Sequence, residues 1–118
     1  MRKFLLVLLA TVFTLAGADA SGTYSGTITP EDGNEGPALV ILKQTGESVS
    51  GTAGPDESER HEISNGKVIG NKVTFDTARG STTMKFELTL TGDELAGQIT
   101  RERDGQRQTA KLNLKRMK

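Results

Sequence analysis

The sequence predicts an all-β fold: one eight-stranded antiparallel up-and-down (meander) barrel over residues 21–118, preceded by a signal peptide over residues 1–20. Three observations lead there. Apolar and polar side chains alternate in short runs after residue 20, which is the period of a half-buried strand. No window of comparable length carries a helical apolar stripe. Finally, a hairpin pattern is written twice: "VILKQTGESVSGTA" from Val40 to Ala53 returns 46 residues later as "FELTLTGDELAGQIT" from Phe86 to Thr100.

The opening segment, "MRKFLLVLLATVFTLAGADA", has Arg2 and Lys3, then an apolar stretch from Phe4 to Leu15, then the small residues Ala18 and Ala20 around Asp19. That order reads as a secretory leader cut after Ala20. Thr11, Thr14, Gly17 and Asp19 interrupt its second half, so it falls short of the roughly 20 apolar residues of a membrane span. The expected location is periplasmic or secreted, with no membrane span after cleavage. Loss of Arg2, Lys3 and Asp19 takes the 15 basic and 15 acidic residues to 13 and 14, a net charge of −1. A near-neutral domain has no bulk attraction for nucleic acid or for a membrane surface. The chain has no cysteine and no tryptophan, so burial of Val, Ile and Leu must hold the domain together.

The strands are expected near residues 22–29, 37–44, 48–54, 60–69, 72–78, 82–90, 94–101 and 107–116. Turns at Gly46, Gly70 and Gly92 lie 24 and 22 residues apart, so one repeat unit is two strands and two turns. In the fourth strand, Asn65-Gly66 reads as a bulge, because too few residues flank it to make a further hairpin. Tyr24, Ile28, Val40, Leu42, Val73, Phe75, Met84, Phe86, Leu88, Leu90, Leu95, Ile99, Leu112 and Leu114 fall on one face, with Ser, Thr, Lys and Glu between them. One apolar and one wet face suit an antiparallel sheet, and closure removes its edges. The polar outer face excludes an outer-membrane barrel. Gly26, Gly51 and Gly97 are expected where the barrel bends. Leu39 and Ile41 break the pattern by lying on the polar face, and they form a candidate contact for a protein partner or a homodimer.

Alternate connections of such a barrel emerge at opposite ends. Those after strands two, four and six are short; those after strands one, three, five and seven ("PEDGNEG", "PDESE", "ARGS", "RDGQ") read as longer and more charged. Recognition is expected at that second rim, where adaptable loops sit on a rigid frame. Charge is segregated too: residues 31–62 carry a net −6 and residues 99–118 a net +5. Two readings of that segregation stand: solvated loops of opposite charge neutralise one another, or Arg79, Arg101, Arg103 and Arg107 offer the rim to an anionic ligand, above an interior that includes Tyr24, Phe75 and Phe86.

Catalytic chemistry leaves no trace in the pattern. His61 is the sole histidine, the acidic run around it and "EDGNEG" lack calcium-loop spacing, and no nucleophile elbow, P-loop or dinucleotide fingerprint occurs. No catalytic residue, metal ligand or cofactor is expected.

The opening Gly22-x-Tyr24, the eight meandering strands and the basic last strand resemble the calycin barrels, that is, the lipocalins and avidins, over residues 21–117. The family signature is G-x-W, and Tyr24 stands at the tryptophan. The resemblance implies a ring packed under a late basic residue, here Arg116, and a small apolar or amphipathic ligand held inside. It does not extend to an avidin-type biotin site, which leans on tryptophans absent here. The hairpin L-x-Q-x-G-x-x-V-x-G-T, Leu42 to Thr52, is also similar to that of small exported bacterial proteins. The resulting expectation is a non-enzymatic lipocalin-like binding protein, with a protein-interaction or inhibitor module of the cell envelope as the alternative.

Overall fold

The structure, a computed structural model, describes residues 19–117. Residues 1–18 of the expected leader lie outside the described residues, while Asp19 and Ala20 lie within them. Nine strand segments run in chain order: β1 (Gly22–Pro30), β2 (Gly36–Thr45), β3 (Ser48–Asp56), β4 (Glu59–Glu62), β5 (Ser64–Ile69), β6 (Lys72–Arg79), β7 (Thr82–Thr91), β8 (Glu94–Arg103) and β9 (Gln106–Arg116). Each pairs antiparallel with its neighbours. Pairing of β1 with both β2 and β9, and of β2 with β3, closes the sheet into a cylinder.

Eight barrel positions arise from nine segments because β4 and β5 are one interrupted strand. Both pair with β3, through Ala53↔His61 and Ser48↔Lys67, and the break is bridged by Ile63 N–H donating to the Gly51 carbonyl. The register against β6 slips between Ser64 and Lys67, where Asn65 takes a φ of 55°. Asn-Gly therefore makes a bulge inside a strand, as the short flanks require. Nearer the other end of β3, the strand slips against β4 between Ala53 and Asp56, around Pro55, which has no N–H to give the ladder.

The alternation sorts side chains as expected. Tyr24, Val40, Leu42, Val73, Phe75, Phe86, Leu88, Leu90, Leu95, Ile99, Leu112 and Leu114 are buried in one core, joined by Val49, Ala53 and Val68; Ile28 and Met84 pack on it half-buried. Phe75 and Phe86 face each other across β6 and β7 with ring centroids 4.5 Å apart, a stacked pair worth about 0.5–1.5 kcal/mol beyond its buried area. The repeated glycines have a geometric cause. A Cβ on Gly51 would collide with the Ile41 carbonyl oxygen, and one on Gly97 with that of Glu87, so neighbouring backbones bend past each other there.

The connections depart from expectation at one end. Gly46, Gly70 and Gly92 open two-residue turns with φ between 62° and 65°, matching the type II′ preference for Gly at the first central position. At the other rim, however, Glu57-Ser58, Gly80-Ser81 and Asp104-Gly105 are also two-residue turns, and only residues 31–35 form a longer loop. The ladders run further than the apolar pattern does: β8 and β9 pair out to Arg103↔Gln106, with polar side chains throughout. The rim is made of hairpin tips rather than long loops.

Candidate functional site

The two ends of the cylinder differ inside. At the end of the Gly46, Gly70 and Gly92 turns, Tyr24 is fully buried and the Arg116 guanidinium lies over its ring, 5.3 Å from the centroid. The Tyr24 hydroxyl donates to the Ala20 carbonyl at 2.9 Å and accepts from Arg116 Nη2 at 2.9 Å. Arg116 Nη2 also donates to the Asp19 carbonyl, and Ala20 N–H donates to Gln44 Oε1 at 2.7 Å. Burial pushes the Tyr24 phenol pKa up, against the pull of the nearby Arg116 charge. This end is a filled plug.

At the opposite rim the interior opens into a cavity of about 690 Å³. Its apolar wall is formed by Val40, Ala53, Phe86, Ile99 and Leu112, with Ile28, Ala38 and Met84 above them. An adjoining space of about 560 Å³ shares Ile28, Met84, Ile99 and Arg101 and reaches the 31–35 loop through Glu31 and Asp32. The hollow has a simple origin. Inward positions of the upper layer carry Ala38, Ala53 and Ala110, whereas the lower layer carries Leu88, Leu90, Leu95 and Leu114.

Polar groups ring the mouth. Arg79 Nη1 donates to Glu59 Oε2 at 2.7 Å in an exposed ion pair, and His61 Nε2 lies 4.0 Å from the same oxygen. Arg103 has only a loose, exposed contact with Asp104 at 3.9 Å. Arg101 donates to Gln108 Oε1, and among the described residues no carboxylate pairs with it. Thr77, the one buried polar side chain among the described residues, also lines the wall. Asp56 caps the β3–β4 turn: its carboxylate accepts from the Ser58 hydroxyl, Ser58 N–H and Glu59 N–H, bonds that hold its pKa below the usual value.

Of the residues expected in a ligand site, Arg79, Phe86, Arg101 and Arg103 line the cavity together. Tyr24 does not, because it belongs to the plug at the far end. Phe75 lies wholly in the core behind Phe86. Arg107 points out of the barrel and pairs with Glu102 at 2.9 Å across the β8–β9 hairpin. His61, Glu59 and Thr77 complete the wall without having been singled out for it. Their parity gives the signal, since His61 faces Ala53 in register and Thr77 continues the inward series Val73, Phe75.

Leu39 and Ile41 lie outside the core on the outer face, in register with Ser25 and Thr23 of β1. Leu39 is already buried within the single chain, and Ile41 is half-buried. Among the described residues, no helix is long and apolar enough to cross a membrane.

Compared with protein-family models, curated proteins and solved structures, the chain matches none. The closed eight-stranded antiparallel barrel is consistent with a calycin-like fold, and the Tyr24–Arg116 stack is the packing which that resemblance implies.

Proposed function

We propose that the chain is an exported, non-enzymatic binding protein that holds a small apolar or amphipathic ligand in the rim-side half of its barrel. The observation that carries this reading is the cavity of about 690 Å³, within the roughly 300–1,000 Å³ of small-molecule sites. Its apolar wall suits a hydrocarbon or ring system packed on Phe86, Ile99 and Leu112. The uncompensated Arg101 and the loosely paired Arg103 suit a negative group at the mouth, where a guanidinium binds a carboxylate, sulfonate or phosphate by paired hydrogen bonds. Native mass spectrometry of the protein purified from its own host tests the reading. A released adduct of one small, apolar or amphiphilic anion per chain supports it, and a bare chain that takes up no amphiphile counts against it.

A protein-interaction role is the second reading, favoured by the outward Ile41 beside Leu39. Replacing Ile41 with serine should then lower self-association or partner capture, as read by sedimentation velocity. An unchanged sedimentation coefficient removes it.

A further inference from the structure

We propose that the leader is cut between Ala18 and Asp19, so that the exported chain begins with Asp19 rather than Ser21. The inference rests on the signal-peptide reading. The sequence offers two overlapping frames of the small-x-small pattern that precedes such a cut: Ala16-Gly17-Ala18 and Ala18-Asp19-Ala20. Pattern alone does not separate them. The fold does.

Ala20 is fully buried and belongs to the hydrophobic core. Its N–H donates to Gln44 Oε1 at 2.7 Å, and its carbonyl is the acceptor for the buried Tyr24 hydroxyl at 2.9 Å. The Asp19 carbonyl accepts from Arg116 Nη2 at 3.0 Å, and the Asp19 carboxylate accepts from Ser21 N–H at 3.0 Å. Cutting after Ala20 removes all four bonds together. It would leave the Tyr24 hydroxyl without its acceptor, in a site whose burial already favours the neutral phenol. Arg116 would lose one of the two hydrogen bonds of its Nη2, keeping Tyr24 and the looser ion pair of its Nε with Asp93 at 3.7 Å. Cutting after Ala18 preserves every one of these contacts and places the new ammonium on the exposed Asp19, next to its own carboxylate. The last two residues before the expected cut are thus the stopper of the barrel's filled end.

The test is to express the full chain in an exporting host, isolate the exported protein, and determine its N-terminus by sequencing and intact mass. The proposal expects a chain beginning Asp-Ala-Ser-Gly. A chain beginning Ser-Gly-Thr-Tyr overturns it while leaving the leader reading intact, and an uncut chain overturns both. In the variant Ala16→Phe, which spoils only the first frame, the proposal expects uncut protein or protein shifted to Ser21. Shifted protein should melt about 5 °C or more below wild type, from the loss of buried hydrogen bonds. Shifted protein that melts at the wild-type temperature overturns the argument from burial.

Discussion

The plugged end and the hollow rim of the barrel are made from the same repeated hairpin, yet one is a filled core and the other encloses a cavity. At the plug, inward positions carry leucines and Tyr24, and the last gap is closed by Ala20 and Arg116. At the rim, equivalent positions carry Ala38, Ala53 and Ala110, so the cylinder is not filled. The difference teaches that strand pairing alone sets the radius of the barrel, while side-chain size at each height decides whether it is solid. Stability should therefore reside at one end and binding at the other.

Truncations test that division most strongly. Leu95→Ala, at a fully buried lower position, should cost about 2–5 kcal/mol, whereas Met84→Ala at the half-buried upper layer should cost about 1 kcal/mol or less. Urea unfolding of the two variants checks this, and equal losses would erase the comparison. Tyr24→Phe comes next. It leaves the Ala20 carbonyl without its donor and removes one of the two acceptors of Arg116 Nη2, and about 1–3 kcal/mol should be lost. Arg101→Glu should barely move the unfolding midpoint, yet weaken binding of an anionic amphiphile by tenfold or more, a difference of about 1.4 kcal/mol measured by calorimetry.

The two ends should also respond to opposite extremes of pH. The Tyr24 pKa is raised in the fold above its ordinary value of 10.0, so its contribution is complete below pH 10 and is lost as pH rises through the folded value. Alkaline melting should show that loss, and Tyr24→Phe should flatten it. The Asp56 pKa is lowered below 3.8, so its contribution holds above that pH and fades as pH falls through the folded value. The carboxylate is fully exposed, so the expected effect is the smallest here: the Ser58 and Glu59 amide signals shift in acid without global unfolding, and Asp56→Asn abolishes the transition.

Much of this architecture is legible in the sequence because the two-residue period of a strand decides which way each side chain points. The inward series Met84, Phe86, Leu88, Leu90 and the bulge at Asn65-Gly66 follow from it directly. The same parity excludes Arg107, which alternates with the inward Gln108 and Ala110, and includes Thr77 and His61. Height along the barrel axis is what parity does not carry. Tyr24 faces inward like Phe86, but the stagger between strands sets it at the plug, and that stagger is fixed by pairing across the whole cylinder; Phe75, directly across from Phe86, is kept from the cavity because it is buried in the core behind that ring. The rim turns escaped notice for a different reason. Polar residues such as Arg103 and Gln106 read as loop, while their backbones continue the ladder.

The central claim, a solid plug beneath a hollow rim that binds, is tested most directly by filling the hollow. An anionic amphiphilic dye such as anilinonaphthalene sulfonate should bind the native chain with one molecule per barrel, by fluorescence titration. Ala38→Phe, placed in the upper cavity wall, should abolish that binding while leaving the unfolding midpoint near wild type. Dye binding unchanged by the filled cavity, or absent from the native chain, would contradict it.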